Sequence, residues 1–430
     1  MKKSLVWIAF VCFLASCHSR EKAIVQVNFI DSLLSGKIKS PAIDMNERDL
    51  GFWKNRIDPK HPDLINRSRY AGQLATRFRL SGDIHDIKSA DSILLLADSI
   101  FNHKEASVYL AMVGHCISEH RFMDASGYLE KAESLGIKPY ETCTATFDVD
   151  FELGYYPTAD SYLNKIRSPN DYGYFFRESK WQHYKGNLDS SITSMQKALE
   201  WAGSDIGLQQ AALSNEADLY LHAGDLRLAY DAFTRSIRLG ASDLHSIIGI
   251  GWIALVHDKN DSLAGKIFQY LQTKTKSPEI LFKLQQASEL KNDSSLQIKY
   301  ASQFAQLVSG PQYGNMFNKY TIDLYTGILN DPAKAEEIAN KEIQGRPTPQ
   351  TYAWYAWCLF CNNKKNEAYN VYEKYVSGKP LEGLELYYMG RLMKGLEKGY
   401  NAREFFEAAE KNKYDLSPAK IKELEKNLEE

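Results

Sequence analysis

The sequence predicts an all-α solenoid of nine to ten helix-turn-helix repeats, and three observations predict it. The first is a small residue followed four positions later by an apolar, usually larger one. It recurs at Ala90/Leu94, Ala125/Leu129, Ala159/Leu163, Ser191/Met195, Ala229/Phe233, Ala264/Phe268, Ala301/Ala305, Ala335/Ala339, Ala368/Tyr372 and Ala402/Phe406. The first members lie 35, 34, 32, 38, 35, 37, 34, 33 and 34 residues apart. A period near 34 is that of stacked helical hairpins, each too small to bury its own apolar face. The second is a matching series of turn signals: Gly82-Asp83, Gly154, Gly186-Asn187, Gly224-Asp225, Lys259-Asn260-Asp261, Lys291-Asn292-Asp293, Asn330-Asp331-Pro332 and Asn362-Asn363. Gly and Asn tolerate positive φ at a helix C-terminus, and Asp caps the helix that follows. The third is the lack of any long low-complexity segment, so the chain reads as folded nearly throughout.

Taken in order, the elements begin with an address. Met1-Lys2-Lys3 is basic and the stretch from Leu5 to Ala15 is apolar, too short to span a bilayer but right for a signal peptide. It ends at Leu14-Ala15-Ser16-Cys17, which resembles the bacterial lipobox. That resemblance implies cleavage of residues 1–16 and acylation of Cys17, whose nucleophilic sulfur accepts the diacylglycerol. Several acyl chains anchor a protein stably where one would not. No Asp follows Cys17, which resembles lipoproteins sent to the outer membrane and implies a periplasm-facing location there; no acidic cluster argues for surface display. Residues 17–62 then read as the lipidated cysteine, a helix and a tether. From Glu21 to Leu34, Ile24, Val27, Ile30, Leu33 and Leu34 keep helical spacing, and this helix is expected to pack on the first repeat. Between Gly36 and Pro62, three prolines mark a tether, with Phe52 and Trp53 docking on the solenoid end. The repeats occupy 63–416. Residues 417–430 form a capping helix, opened by Ser417-Pro418, with Ile421, Leu424 and Leu428 facing the last repeat and polar faces elsewhere.

Two windows carry a family resemblance. Leu213, Ala217, Tyr220, Gly224, Ala229, Phe233 and Ser236, and again Leu386, Met389, Gly390, Met393, Ala402, Phe406 and Ala409, fall on signature spacings. In this the chain resembles the tetratricopeptide repeat family over about 350 residues, weakly so at Ser288–Val308 and Asn315–Glu342. A small residue in helix A (Ala217, Gly390) or helix B (Ala229, Ala402) lets the paired helices approach, and Tyr220, Phe233 and Phe406 fill the gaps. The resemblance implies a right-handed superhelix whose concave wall is lined by A helices.

The chemistry the sequence excludes is as informative. Balanced charge, 52 Lys+Arg against 54 Asp+Glu, with no basic stripe, argues against nucleic acid. No phosphate loop, HExxH, GxSxG or dinucleotide fingerprint occurs, so no enzyme and no cofactor is expected. Cys358 and Cys361 form a CxxC with helical flanks and no second ligand pair, and read as packing residues. Cys116 and Cys143 read the same way. His115 and His120 are five apart and do not share a helix face, so no metal site is expected.

The expected ligand surface is the concave wall. Asp218 and His222 in one clear repeat, and Tyr387, Arg391 and Lys394 in the other, lie on the non-packing side of helix A. In Tyr352-Ala353-Trp354-Tyr355-Ala356-Trp357, Tyr352 and Tyr355 keep the packing phase, which turns Trp354 and Trp357 toward the groove. Phe176 and Lys180 are a second candidate pair. Aromatics beside cations suit protein or peptide recognition. The chain therefore reads as a non-enzymatic, membrane-anchored scaffold binding envelope proteins or peptides. The alternative is a glycan-binding lipoprotein of a polysaccharide-uptake system; it resembles the starch-utilisation surface lipoproteins, but those build their sugar sites on long loops and this chain keeps short turns. Metabolic labelling with radioactive palmitate should mark the protein, and Cys17→Ser should abolish the label; an unlabelled wild-type chain would remove the anchor.

Overall fold

In a computed structural model that describes residues 22–396 and 401–430, all regular structure is helical. Cys17 and the signal segment lie outside the described residues. Two helices lead in, Val27–Leu34 (α1) and Pro41–Lys54 (α2). Ten hairpins of helix A then helix B follow. The first five are Leu64–Ser81 with Ile84–Ile100 (α3, α4), Ala106–Ser118 with Phe122–Leu135 (α5, α6), Pro139–Leu153 with Tyr156–Lys165 (α7, α8), Tyr172–Tyr184 with Leu188–Trp201 (α9, α10) and Ile206–Ala223 with Leu226–Leu239 (α11, α12). The second five are Leu244–Val256 with Asp261–Gln272 (α13, α14), Glu279–Leu290 with Ser294–Val308 (α15, α16), Asn318–Thr326 with Pro332–Gly345 (α17, α18), Pro349–Cys361 with Lys365–Val371 (α19, α20) and Gly383–Gly395 with Ala402–Lys411 (α21, α22). Pro418–Glu429 (α23) closes the chain.

The periodic small residues all fall in B helices. Nine of them, Ala90 through Ala368 in the series, are 0% exposed, and Ala402 in the last hairpin is half-buried. The bulky partners reach the facing A helices at places with no side chain. A Cβ on Gly249 would lie 2.2 Å from the Phe233 ring, one on Gly251 2.6 Å from Phe268, and one on Gly390 2.5 Å from Phe406. The first of these contacts joins neighbouring hairpins, and the other two close the A and B helices of one hairpin on each other.

The turns follow the same economy. In the nine A-to-B turns among the described residues, one residue takes the left-handed conformation: Gly82, His120, Gly154, Gly186, Gly224, Lys259, Asn292, Asn330 or Asn363. The next amide then reaches back to a helix carbonyl, as Tyr155 does to Asp150 and Asp225 to Tyr220, both at 2.8 Å. Asp171, Asp205, Asp243, Asp293 and Asp331 each accept a backbone amide at the start of a helix.

The amino-terminal region departs from expectation twice. The helix starts at Val27 rather than Glu21, and it packs on the middle of the array rather than on the first repeat. Ile30 and Leu33 are buried there in the same core as Leu226, Ile267 and Leu271, with α1 against α14. The amides of Ile24 and Val25 donate to the Asp258 carboxylate at 2.9 and 3.0 Å. The expected tether contains a helix, because Pro41 stands at its first turn, where a missing N–H costs nothing. Leu50 and Asn46 of α2 dock on α3, with the Asn46 amide donating to the Gln73 carbonyl at 3.0 Å. Phe52 stays 49% exposed, so it is not the docking residue.

The array winds until its turns meet. The Ser81 carbonyl accepts from the Thr275 hydroxyl at 2.8 Å and the Lys276 amide at 2.7 Å. Arg346 pairs with Glu152 at 2.8 Å. His222 Nδ1 lies 2.8 Å from Asp415, and the Asn412 amide donates to the His222 carbonyl at 3.0 Å. These contacts span 194, 194 and 193 residues. Each joins the A-to-B turn of the first, third or fifth hairpin to the loop after the sixth, eighth or tenth. The turn glycines make room: Gly82 faces Ser277, Gly154 faces Thr348 and Gly224 faces Tyr414.

Ala229→Leu should overpack two hairpins and cost about 1–3 kcal/mol. Leu228→Ala, one residue away and on an exposed position, should stay within about 0.5 kcal/mol of wild type. Urea midpoints at constant m-value read both.

Candidate functional site

Winding encloses a lumen walled by A helices. It holds two cavities of about 620 and 800 Å³, within the range of ligand-binding pockets. They communicate through shared walls at Lys180, His183, His222, Lys319, Tyr320 and Glu382. Phe176, Trp252 and Phe282 supply apolar surface to the first cavity, and Phe151, Tyr156 and Tyr184 to the second.

Between these apolar patches the wall is charged, and most of the charges are paired. Glu152 meets both Lys180, at 2.6 Å, and Arg346 across the seam. Burial alone would raise its carboxyl, but the two cations outweigh that and hold it at about 2. His245 lies 2.7 Å from Asp218, whose charge raises the imidazole to about 10. Burial works to lower His222, yet the Asp415 hydrogen bond wins and its pKa is raised. Lys319 sits 3.5 Å from Glu385 and 3.7 Å from Glu382. Its ammonium is likewise raised by these carboxylates against burial. Glu382 is lowered, burial being outweighed by Lys319, whereas burial prevails at Glu385 and raises it. Lys420 pairs with Asp323 at 2.7 Å, and the Tyr388 hydroxyl donates to the same carboxylate at 2.7 Å.

The sequence-predicted residues divide into three groups. Asp218 and His222 do line the lumen, as do Phe176 and Lys180. Trp354 and Trp357 do not form an exposed platform, since each is only 6% exposed. The Trp354 indole N–H donates to Glu385 at 2.6 Å, and the residue borders the second cavity. The Trp357 indole donates to Thr326 at 3.1 Å and stacks on Tyr388 at 4.7 Å. The reason is that α19 packs against α17, α18, α20 and α21 together, so an interior A helix has almost no open face; Tyr352 and Tyr355 are more exposed than either tryptophan. Tyr387, Arg391 and Lys394 face the cap instead of the groove. The Tyr387 hydroxyl donates to Glu423 at 2.6 Å, Arg391 pairs with Glu423, and Lys394 donates to Asn427 at 2.7 Å. The capping helix occupies the place of an eleventh hairpin and takes up these side chains. It also reaches α15, where the Ala419 amide donates to Glu289 at 3.2 Å.

Sequence reasoning missed Lys283, Lys319, Tyr320, Arg346, Glu382 and Glu385. A usable signal existed: Lys283 is a lone charge in the apolar run Ile280–Leu284. The cysteines behave as packing residues; burial pushes the Cys116 and Cys361 thiols up to about 12, and Cys358 well above its usual value. Among the described residues no group of three or more His, Cys, Asp or Glu could hold a metal ion.

The Glu152 cluster gives a sign for acid stability. Its folded pKa lies below its unfolded value near 4.5, so its contribution is fully present above pH 4.5 and is lost as pH falls toward 2. Wild type should lose about 2 kcal/mol from this source between pH 6 and pH 3. Glu152→Gln should be less stable at pH 6 and lack that part of the slope, as urea midpoints at the two pH values will show.

No family model and no curated protein matches the chain. Among solved structures it is similar to a tetratricopeptide repeat protein from Parabacteroides merdae, at 16% identity over 64% of this chain and 99% of that one, with TM-score 0.36. It is similar to a Rap protein complexed with competence and sporulation factor, at 12% identity over 75% and 96%, with TM-score 0.43. It is also similar to the protein of a functional characterisation of Pseudomonas aeruginosa pilF, at 12% identity over 49% and 96%, with TM-score 0.36. The hairpin geometry itself, with small B-helix residues buried and bulky partners seated on facing glycines, makes this chain an all-α solenoid of tetratricopeptide-like repeats.

Proposed function

We propose that the chain is a non-enzymatic scaffold, anchored to the bacterial outer membrane through Cys17, that binds a peptide segment of an envelope protein in its lumen. The observation that carries this reading is the lumen itself. Two joined cavities lie on the inner wall, with apolar patches separated by charged groups, most of which are held by a partner. Such a wall is organised for recognition, and the sequence carries none of the motifs that would make it a reaction centre. The lipobox supports the anchor, and no helix of the described residues is long and apolar enough to cross a membrane. Burial of Trp354 and Trp357 removes the aromatic platform on which the glycan alternative rested.

A photo-crosslinking amino acid tests the reading in intact host cells. Placed at Phe176 in the lumen it should capture one discrete protein or peptide. Placed at Ile65 or Leu228, which are 70% and 47% exposed on other surfaces, it should not. Equal capture at all three positions, or none at Phe176, would count against a lumenal partner.

A further inference from the structure

Glu279 and Lys283 stand four residues apart on α15, and both line the first cavity. Glu followed by Lys at this spacing is the order that closes an ion pair along a helix. Here the pair is open. Lys283 Nζ lies 4.1 Å from the centre of the Trp252 ring instead, and that indole is fixed by donating its N–H to the Tyr414 carbonyl at 2.7 Å. Among the described residues neither Glu279 nor Lys283 has a side-chain hydrogen bond or an opposite charge in contact. Every other lysine, aspartate and glutamate lining this cavity has one. Burial pulls the Lys283 ammonium below its usual pKa, although the Glu279 charge opposes it.

Two more groups at the same cavity lack partners. Gln286 Oε1 and Ser417 Oγ are buried without a hydrogen bond, on residues 6% and 3% exposed. Buried polar groups are nearly always satisfied, so two unpaired ones at the cavity that Glu279 and Lys283 also line ask for an occupant. The occupant must carry both signs of charge. A lone anion on Lys283 would sit beside the Glu279 carboxylate, and a lone cation on Glu279 beside the ammonium.

Resting on the lumenal-peptide reading above, we propose that this corner of the cavity receives a mixed-charge peptide segment. An acidic side chain sits on Lys283, a basic one on Glu279, and the backbone between them meets the Gln286 amide and the Ser417 hydroxyl.

The test uses the full chain and three arrays of seven-residue peptides with random flanks, in which the fixed central pair is Glu-Lys, Glu-Gln or Gln-Lys. Wild type should bind the Glu-Lys array most tightly. Lys283→Met should lose about tenfold of the preference for the acidic position and keep the basic one. Glu279→Gln should do the converse, and Lys283→Arg should retain the acidic preference. The thermal midpoint of Lys283→Met should equal or exceed that of wild type, because an unpaired enclosed charge is removed; this separates lost recognition from lost folding. Peptide binding with the same preferences in wild type, Lys283→Met and Glu279→Gln would overturn the subsite while leaving the scaffold reading intact. Failure of all three arrays to bind wild type would overturn both.

Discussion

At nine positions the B helices of this molecule present no more than a methyl or a hydroxymethyl group, completely buried, to the helices packed on them. That close approach is the constraint from which the remainder follows. It sets how far each hairpin is rotated on its predecessor, and the accumulated rotation brings the sixth, eighth and tenth hairpins back against the first, third and fifth. A larger side chain at Ala229 or Gly390 would alter more than one local contact, because the inner space exists only if the rotation accumulates correctly.

The seam and the lumen are built from the same residues. Glu152 joins Arg346 across the seam and Lys180 on the inner wall, and His222 ties the fifth hairpin to the loop at Asp415 while bordering both cavities. Closure and the electrostatics of the interior are therefore not independent. Whatever loosens the seam also changes which charges face the cavity, so a ligand that contacts the wall has a direct energetic connection to the coiling of the chain.

The parts legible in the sequence were those governed by short-range pattern. The ten small residues of the B helices, eight of the turn positions and the final capping helix could be read because each repeats a local solution every 34 residues or so. His120 escaped because histidine rarely signals a left-handed turn, although the geometry needs one there. The helix at Pro41 escapes because proline signals a break as readily as it signals the first turn of a helix. The site was harder. Trp354 and Trp357 were placed by the phase of a single helix, which cannot say that several neighbours enclose it. Tyr387 and Arg391 were placed as if the last hairpin were open. The seam joins loops nearly two hundred residues apart with no common motif, and no local window contains that information.

An open solenoid behaves as a one-dimensional chain of units, in which fraying at one end is indifferent to the other. Here the first hairpin is stitched to the sixth and the fifth to the last, and the leading segment at Ile24 is clipped to Asp258 in the sixth hairpin. The nearest-neighbour description breaks down for such a topology. Removing the terminal hairpin also strips the fifth of its partner, so a loss at one end of the chain is felt at its middle.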